Sequence, residues 1–359
     1  MNIIDIHNYI NKNKNKNKNK NKNNNFNNII NIESKYKTKL IEKININFKT
    51  KIIIIVSKNI ETIAINIKKL LYELKIECEI KFNISEQDCI NSRNINVLYL
   101  FIHTSMIEHN MIPHKFIVYQ IEQSKSIWFT EKYLSYLKKS DYIWEFSMKN
   151  KILYIDNDAN LKSDESNLLP QNKNKAFCSD NKITYMMMPF YYNKISSRSF
   201  DDCDTDIFFY GTDNNRRKNI LQKLCEKYNI KIGFKLYGKL KEEMIQKSKI
   251  ILNLHYYEDC ALESCRINEI LQYDKIIISE KPSITDIDNQ KLYENLVIFI
   301  DEILDDLSNL DQLYEKLNFY LDKNNYMNFI EKSNIYKHEL HKKSKINLQK
   351  NIENIENIV

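Results

Sequence analysis

Short apolar runs and stretches of helical spacing take turns along this chain. Lys51–Val56 (KIIIIV) reads as a buried strand, its apolar run Ile52–Val56 suiting a strand covered on both faces. Ile63, Ile67, Leu70, Leu71 and Leu74 follow at helical spacing, which predicts a helix over Thr62–Leu74. Glu77–Phe82, Asn96–Phe101, Phe116–Gln120 and Asp141–Phe146 read as further strands, with a helix over Thr130–Lys139 before the last. The stretch 156–181 is polar, and a short strand, Thr184–Met188, ends at Pro189. The alternation then restarts. Asp206–Tyr210 is a strand, Ile220, Leu221 and Leu224 mark a helix, and Phe234–Tyr237 is a strand. A helix over Lys241–Lys247 and strands over Ile250–Leu254, Ile276–Ser279 and Val297–Ile300 complete this half, and Leu304–Gln349 reads as helices. Strands alternating with helices predict parallel α/β sheets. The expected domains are 50–182, including the polar loop 156–181, and 183–325, with a helical tail over 326–359.

Composition changes this picture at the N-terminus. Residues 11–25 alternate Asn and Lys with no apolar face to bury, so 1–45 is expected to be a largely disordered tail. Of the net charge of +7, five charges come from residues 1–31, leaving +2 for the rest. That balance argues against a basic nucleic-acid surface. An RNA-binding role for the tail alone is a minor alternative, because it lacks aromatics to stack bases. The seven cysteines are scattered, odd in number and form no C-x-x-C, which suits a reducing compartment and gives no metal-ligand spacing. No apolar run reaches the ~20 residues of a membrane span, and no signal core opens the chain. A cytoplasmic protein without a membrane span is expected. Abundant Asn, Lys and Ile, with three glycines, suggest an A+T-rich genome.

Chemistry concentrates between Ile250 and Glu280. A strand ends at His255, Tyr256, Tyr257 and Glu258, and a helix carrying Glu263, Arg266 and Glu269 follows. Ligands of open α/β sheets bind outside the carboxyl ends of the strands. A second candidate is Tyr210-Gly211 with Arg216 and Arg217, a strand, a glycine turn and a helix start. Two forked cations there suit a diphosphate. Unbound, they oppose the helix dipole, and a solvated surface pair is the equal alternative. Glu263–Arg266 can equally be a surface ion pair. His103, at the end of a strand, can steady developing charge or be a structural histidine, and His255 offers the same choice. The first turn, Ser57-Lys58-Asn59, lacks the glycines of a dinucleotide fingerprint.

The string LNLHYYEDCALESCRINEILQYDKIIISE resembles the nucleotide-binding region of GT-B glycosyltransferases of the "glycosyl transferases group 1" type. It is most similar to a branch with N-x-H-Y-Y, then L-E-x-x-R-x-N-E. YQIEQ (119–123), SDYIWEFSMKN (140–150), YMMMPF (185–190) and FFYGTDNNRRKNIL (208–221) fit the same branch in the same order. The resemblance implies two facing Rossmann-like domains with a cleft between them. It implies a nucleoside diphosphate sugar as donor substrate, no other cofactor, and an acceptor that is a glycan, a protein or a small molecule. Glu269 matches the second glutamate of the family's E-x7-E element, which holds the donor ribose. The first glutamate falls at Ala261, so Glu263 is the substitute carboxylate. Gly211 and Arg216 or Arg217 match the diphosphate-facing turn, with His255, Tyr256 and Arg266 beside the donor. His103 takes the place of a first-domain histidine near the transferred sugar. Retaining, metal-independent sugar transfer with His103 and Glu263 as catalytic residues is expected; the alternative is an inactive GT-B-like scaffold.

Overall fold

A computed structural model describes residues 50–93, 96–103, 111–123, 126, 129–147, 149–150 and 182–356. The expected tail over 1–45 and the polar loop over 156–181 lie outside the described residues, as does the end of the tail expected over 326–359.

Two parallel sheets form. The first has six strands: β1 (Lys51–Ile55), β2 (Cys78–Lys81), β3 (Val97–Ile102), β4 (Phe116–Gln120), β5 (Tyr142–Glu145) and β6 (Ile183–Tyr185), in the order β2-β1-β3-β4-β5-β6. Ile53, Ile55, Phe101, Val118 and Ile143 meet Leu134 and Leu137 of helix α3 (Glu131–Lys139) in one core. The predicted first helix is α1 (Glu61–Glu73), with Ile63, Ile67, Leu70 and Leu71 buried as the spacing requires. A short helix α2 (Glu86–Asn91) was not anticipated from apolar spacing. Ser85 and Asp88 form a capping box that closes its first turn.

The second sheet has five strands: β7 (Thr205–Gly211), β8 (Ile230–Phe234), β9 (Ser248–Asn253), β10 (Ile276–Glu280) and β11 (Ile298–Ile300), in the order β11-β10-β9-β7-β8. Around it lie α4 (Asn215–Cys225), α5 (Gly238–Lys247), α6 (Ser264–Ile270), α7 (Ile287–Tyr293) and α8 (Leu310–Tyr320). The strand expected over Phe234–Tyr237 is displaced. Ile230–Phe234 pairs with β7 instead, and Lys235 ends the strand in the left-handed region at φ 54°. β8 is an edge strand with Ile232 and Phe234 partly exposed, so its apolar positions do not report burial.

The expected domain boundary at 183 falls inside the first sheet, because β6 pairs with β5. The chain then crosses between sheets as an extended strap, Met186–Phe190. The Tyr119 hydroxyl donates to the Met186 and Met187 carbonyls, both at 3.2 Å, while Asn268 of α6 donates to Met188 at 3.1 Å. The terminal helix α9 (Lys323–Glu356) seals this strap, with Ser344 and Asn347 accepting from the Phe190 and Met187 amides. It also reaches the first lobe, where Lys345 meets Glu73 at 2.9 Å. Among the described residues no helix is long and apolar enough to cross a membrane.

Candidate functional site

Each sheet reverses its strand order once, between β1 and β3 and between β7 and β9. Chains leaving neighbouring strands in opposite directions at such a point open a crevice at their carboxyl ends. Gly211 ends β7 and Asn253 ends β9, while His103 directly follows β3. The sequence candidates therefore fall at the two switch points.

Gly211 has φ 153°, which disfavours any side chain. A Cβ there would lie 3.0 Å from Arg266 Nη2 and 3.3 Å from Arg217 Nη1. Its missing side chain lets two guanidinium groups approach the backbone. The adjacent helix α4 is capped by Asn214, whose Oδ1 accepts from the Arg217 amide at 2.8 Å.

The two neighbouring arginines differ from the expected pair. Arg216 is buried and forks onto Glu280, at the end of β10, and donates to the His255 and Ile303 carbonyls at 2.9 and 2.6 Å. Burial opposes its charge, but the bond to Glu280 outweighs that and raises its pKa. Arg216 is thus a structural cation turned into the lobe, and its expected role at a diphosphate does not match this placement. Arg217 is 1% exposed. It donates to Leu254, His255 and Thr212 carbonyls and to Glu263 at 3.2 Å, between the Phe209 and Tyr256 rings. Burial lowers its pKa. Most of its donors are spent on loop carbonyls, so it shapes the site and reaches it through Glu263.

Glu263 stands at the N-cap of α6 and joins Arg217 to Arg266, with a 2.7 Å ion pair to the latter. Burial raises its pKa, and the Arg266 and Arg217 cations outweigh this and hold it below the usual carboxylate range. Arg266 also donates to Asn253 Oδ1 at 3.0 Å and lies over the Tyr210 ring. Glu269, one turn on, accepts from the Tyr210 hydroxyl at 3.0 Å and pairs with Lys241 of α5. Arg266, Lys241, Glu263 and Glu269 all keep partial exposure. Tyr256 stacks over Arg217, and its carbonyl accepts from Asn214 at 2.7 Å. His255 is fully buried, neither ring nitrogen has a hydrogen-bond partner among the described residues, and burial lowers its pKa.

The loops of the two sheets touch here. Gln123 makes a two-way amide bond with the backbone of Ala261, both distances 2.9 Å. The position of the absent first glutamate is thus a backbone contact between lobes. Lys149 pairs with Asp259 at 2.5 Å, and Ser147 donates to Asp286 at 2.7 Å. Asp286 also accepts from the Leu262 amide and Asn289, and burial pushes its pKa up to about 6. On the first-lobe side His103 faces Glu122 at 3.3 Å and sets its ring edge against Tyr133. Its φ of 72° is strained for a non-glycine residue, a feature that clusters at functional sites. Behind it, Gln120 and Glu145 are fully buried and hydrogen-bonded to one another.

Sequence reading missed Lys241, Gln123, Glu280 and Asp286. Gln123 and Glu280 lie inside the quoted strings, whereas Lys241 and Asp286 had no local signal.

No family model matches the sequence. The Anabaena protein Alr3699/HepE, solved in complex with UDP-glucose, has a TM-score of 0.53 at 8% identity, covering 86% of this chain and 100% of that one. A glycosyltransferase from Rickettsia africae ESF-5 covers 86% and 97% at 11% identity, with a TM-score of 0.41. Together with the repeated strand order, the first of these gives the chain the GT-B fold. The chain is also similar to Uncharacterized protein R358 of Acanthamoeba polyphaga mimivirus, 24% identical over 254 residues that cover 67% of this chain and 81% of that protein.

Proposed function

We propose that this protein is a glycosyltransferase that takes a nucleoside diphosphate sugar at the carboxyl ends of β7 and β9. The observation that carries this reading is the partly exposed set of Arg266, Lys241, Glu263 and Glu269 at the second sheet's switch point. A diphosphate needs positive charge that grows in worth as the bond to the sugar breaks. Arg266 and Lys241 supply it, which is why the transfer is assigned as metal-independent. Glu269 accepts the ribose hydroxyls once Lys241 turns to phosphate. Glu263, kept ionised by two arginines, faces the sugar, and His103 approaches from the first lobe. Retention of configuration follows from the GT-B analogy alone. The HepE structure makes UDP-glucose the first donor to try. The acceptor is a glycan, a protein or a small molecule, and free cysteines suit a cytoplasmic setting.

A thermal-shift screen with UDP-, GDP- and dTDP-sugars tests this. Ligand at a hundred times its Kd adds about 2.7 kcal/mol of stability. No response to any of these sugars would remove the donor site. A second reading, a non-catalytic GT-B-like binding module, is favoured by Ala261, where the backbone bonds Gln123 in place of a carboxylate. Donor binding without sugar transfer or donor hydrolysis would select it.

A further inference from the structure

Far from the carboxyl ends, at the opposite edge of the second sheet, Lys275 precedes β10 and Cys203 precedes β7. Lys275 is 2% exposed. Among the described residues no carboxylate lies within ion-pairing distance of its Nζ. The adjacent Asp274 is already held by Lys194 at 2.6 Å and Lys337 at 3.2 Å. Lys275 Nζ instead meets the Arg198 carbonyl and Cys203 Sγ, both at 3.1 Å. A buried ammonium normally needs a charged partner. Here a sulfur atom occupies that place, and Cys203 keeps partial exposure. Burial lowers the Lys275 pKa, which favours the neutral, nucleophilic amine.

We propose that Cys203 and Lys275 are a modification site, forming a reversible sulfenamide crosslink when the protein meets a hydroperoxide. In the first step the Cys203 thiolate attacks a peroxide oxygen. The S–O bond forms, the O–O bond breaks, and the departing hydroxide or alkoxide takes up the proton that the Cys203 thiol gave up and leaves as water or alcohol, so sulfur is oxidised and peroxide reduced by two electrons. In the second step the neutral Lys275 amine attacks the sulfenic sulfur. The S–N bond forms, the S–O bond breaks, and the departing hydroxide takes the amine proton as water. A thiol reverses this by attacking sulfur, which leaves a mixed disulfide and the free amine. The crosslink joins the loop 198–203 to the foot of β10, across β9, and is independent of the sugar-transfer reading.

Peptide mapping of the full chain after hydrogen peroxide treatment tests this. The expected product is a joined Cys203–Lys275 peptide, lighter than its two parts by two hydrogens and released by dithiothreitol. It is absent from Cys203→Ser and Lys275→Arg. Cys203 in wild type carried to sulfinic acid with no joined peptide would overturn the proposal, and that result needs no variant to fold. Equal rates of Cys203 over-oxidation in folded wild type and Lys275→Arg would overturn it as well.

Discussion

The two lobes share one strand order and use their switch points differently. In the first, the carboxyl edge is an acid–amide cluster, with Gln120, Glu122, Glu145 and Asn150 bonded to each other and His103 at its margin. In the second, three arginines and a lysine alternate with three glutamates. Topology alone therefore provides the crevice, and the charge set decides which lobe suits an anion. Within the second lobe, charge divides again by depth. Arg216 and Glu280 are buried, whereas Arg266 and Lys241 keep more contact with solvent.

The sharpest way to break this contrast is Glu280→Ala. It strands Arg216 without its counter-charge and removes the acceptor for the His255 and Ile303 amides. The expected loss is about 3–5 kcal/mol in chemical denaturation. A comparably placed first-lobe change, His103→Ala, is expected to cost under about 1 kcal/mol, since its carboxylate partner is partly exposed.

Asp286, where the lobes meet, gives a pH signature. Its ordinary value is 3.8 and burial raises it to about 6. Between these values the folded protein holds more protons than the unfolded one, so this group's contribution to stability falls as pH rises through the window. At about 1.4 kcal/mol per unit the penalty above pH 6 is on the order of 3 kcal/mol. Denaturation midpoints of wild type should fall relative to Asp286→Asn from about pH 4 to 6 and run parallel above, following the two pKa values. Parallel curves throughout would show the carboxyl to be unperturbed.

Gly211→Ala is expected to cost about 1–3 kcal/mol, from the strained φ and the 3.0 Å approach to Arg266. Donor affinity should drop with it, because Arg266 must move. Gln123→Ala removes both amide bonds to Ala261, one of which leaves a buried backbone amide unpaired. A lowered Tm equivalent to about 1–3 kcal/mol is expected.

The sequence made the second lobe readable because its site is nearly continuous. Asn253, Glu263, Arg266 and Glu269 sit on one strand–helix unit, so spacing already places them together. The fates of Arg216 and Arg217 could not be read in this way. They are neighbours in a first helical turn, both buried, and only distant Glu280 and the Leu254 carbonyl decide that one forks onto an acid and the other braces a loop. Lys241 and Asp286 were opaque for the same reason, since their partners come from other elements. The displaced β8 failed differently: on an edge strand, apolar residues no longer mark the buried face.

The most direct measurement is calorimetric titration of UDP-glucose, then other nucleoside diphosphate sugars, into wild type, Arg266→Ala and Lys345→Ala. The expected result is saturable binding of one donor, weakened about tenfold or more by Arg266→Ala, which is about 1.4 kcal/mol. Lys345→Ala, at the Glu73 contact of α9, should bind as wild type does. Equal affinity in wild type and Arg266→Ala, or no binding of any donor, would contradict the assignment of the second switch point as the donor site.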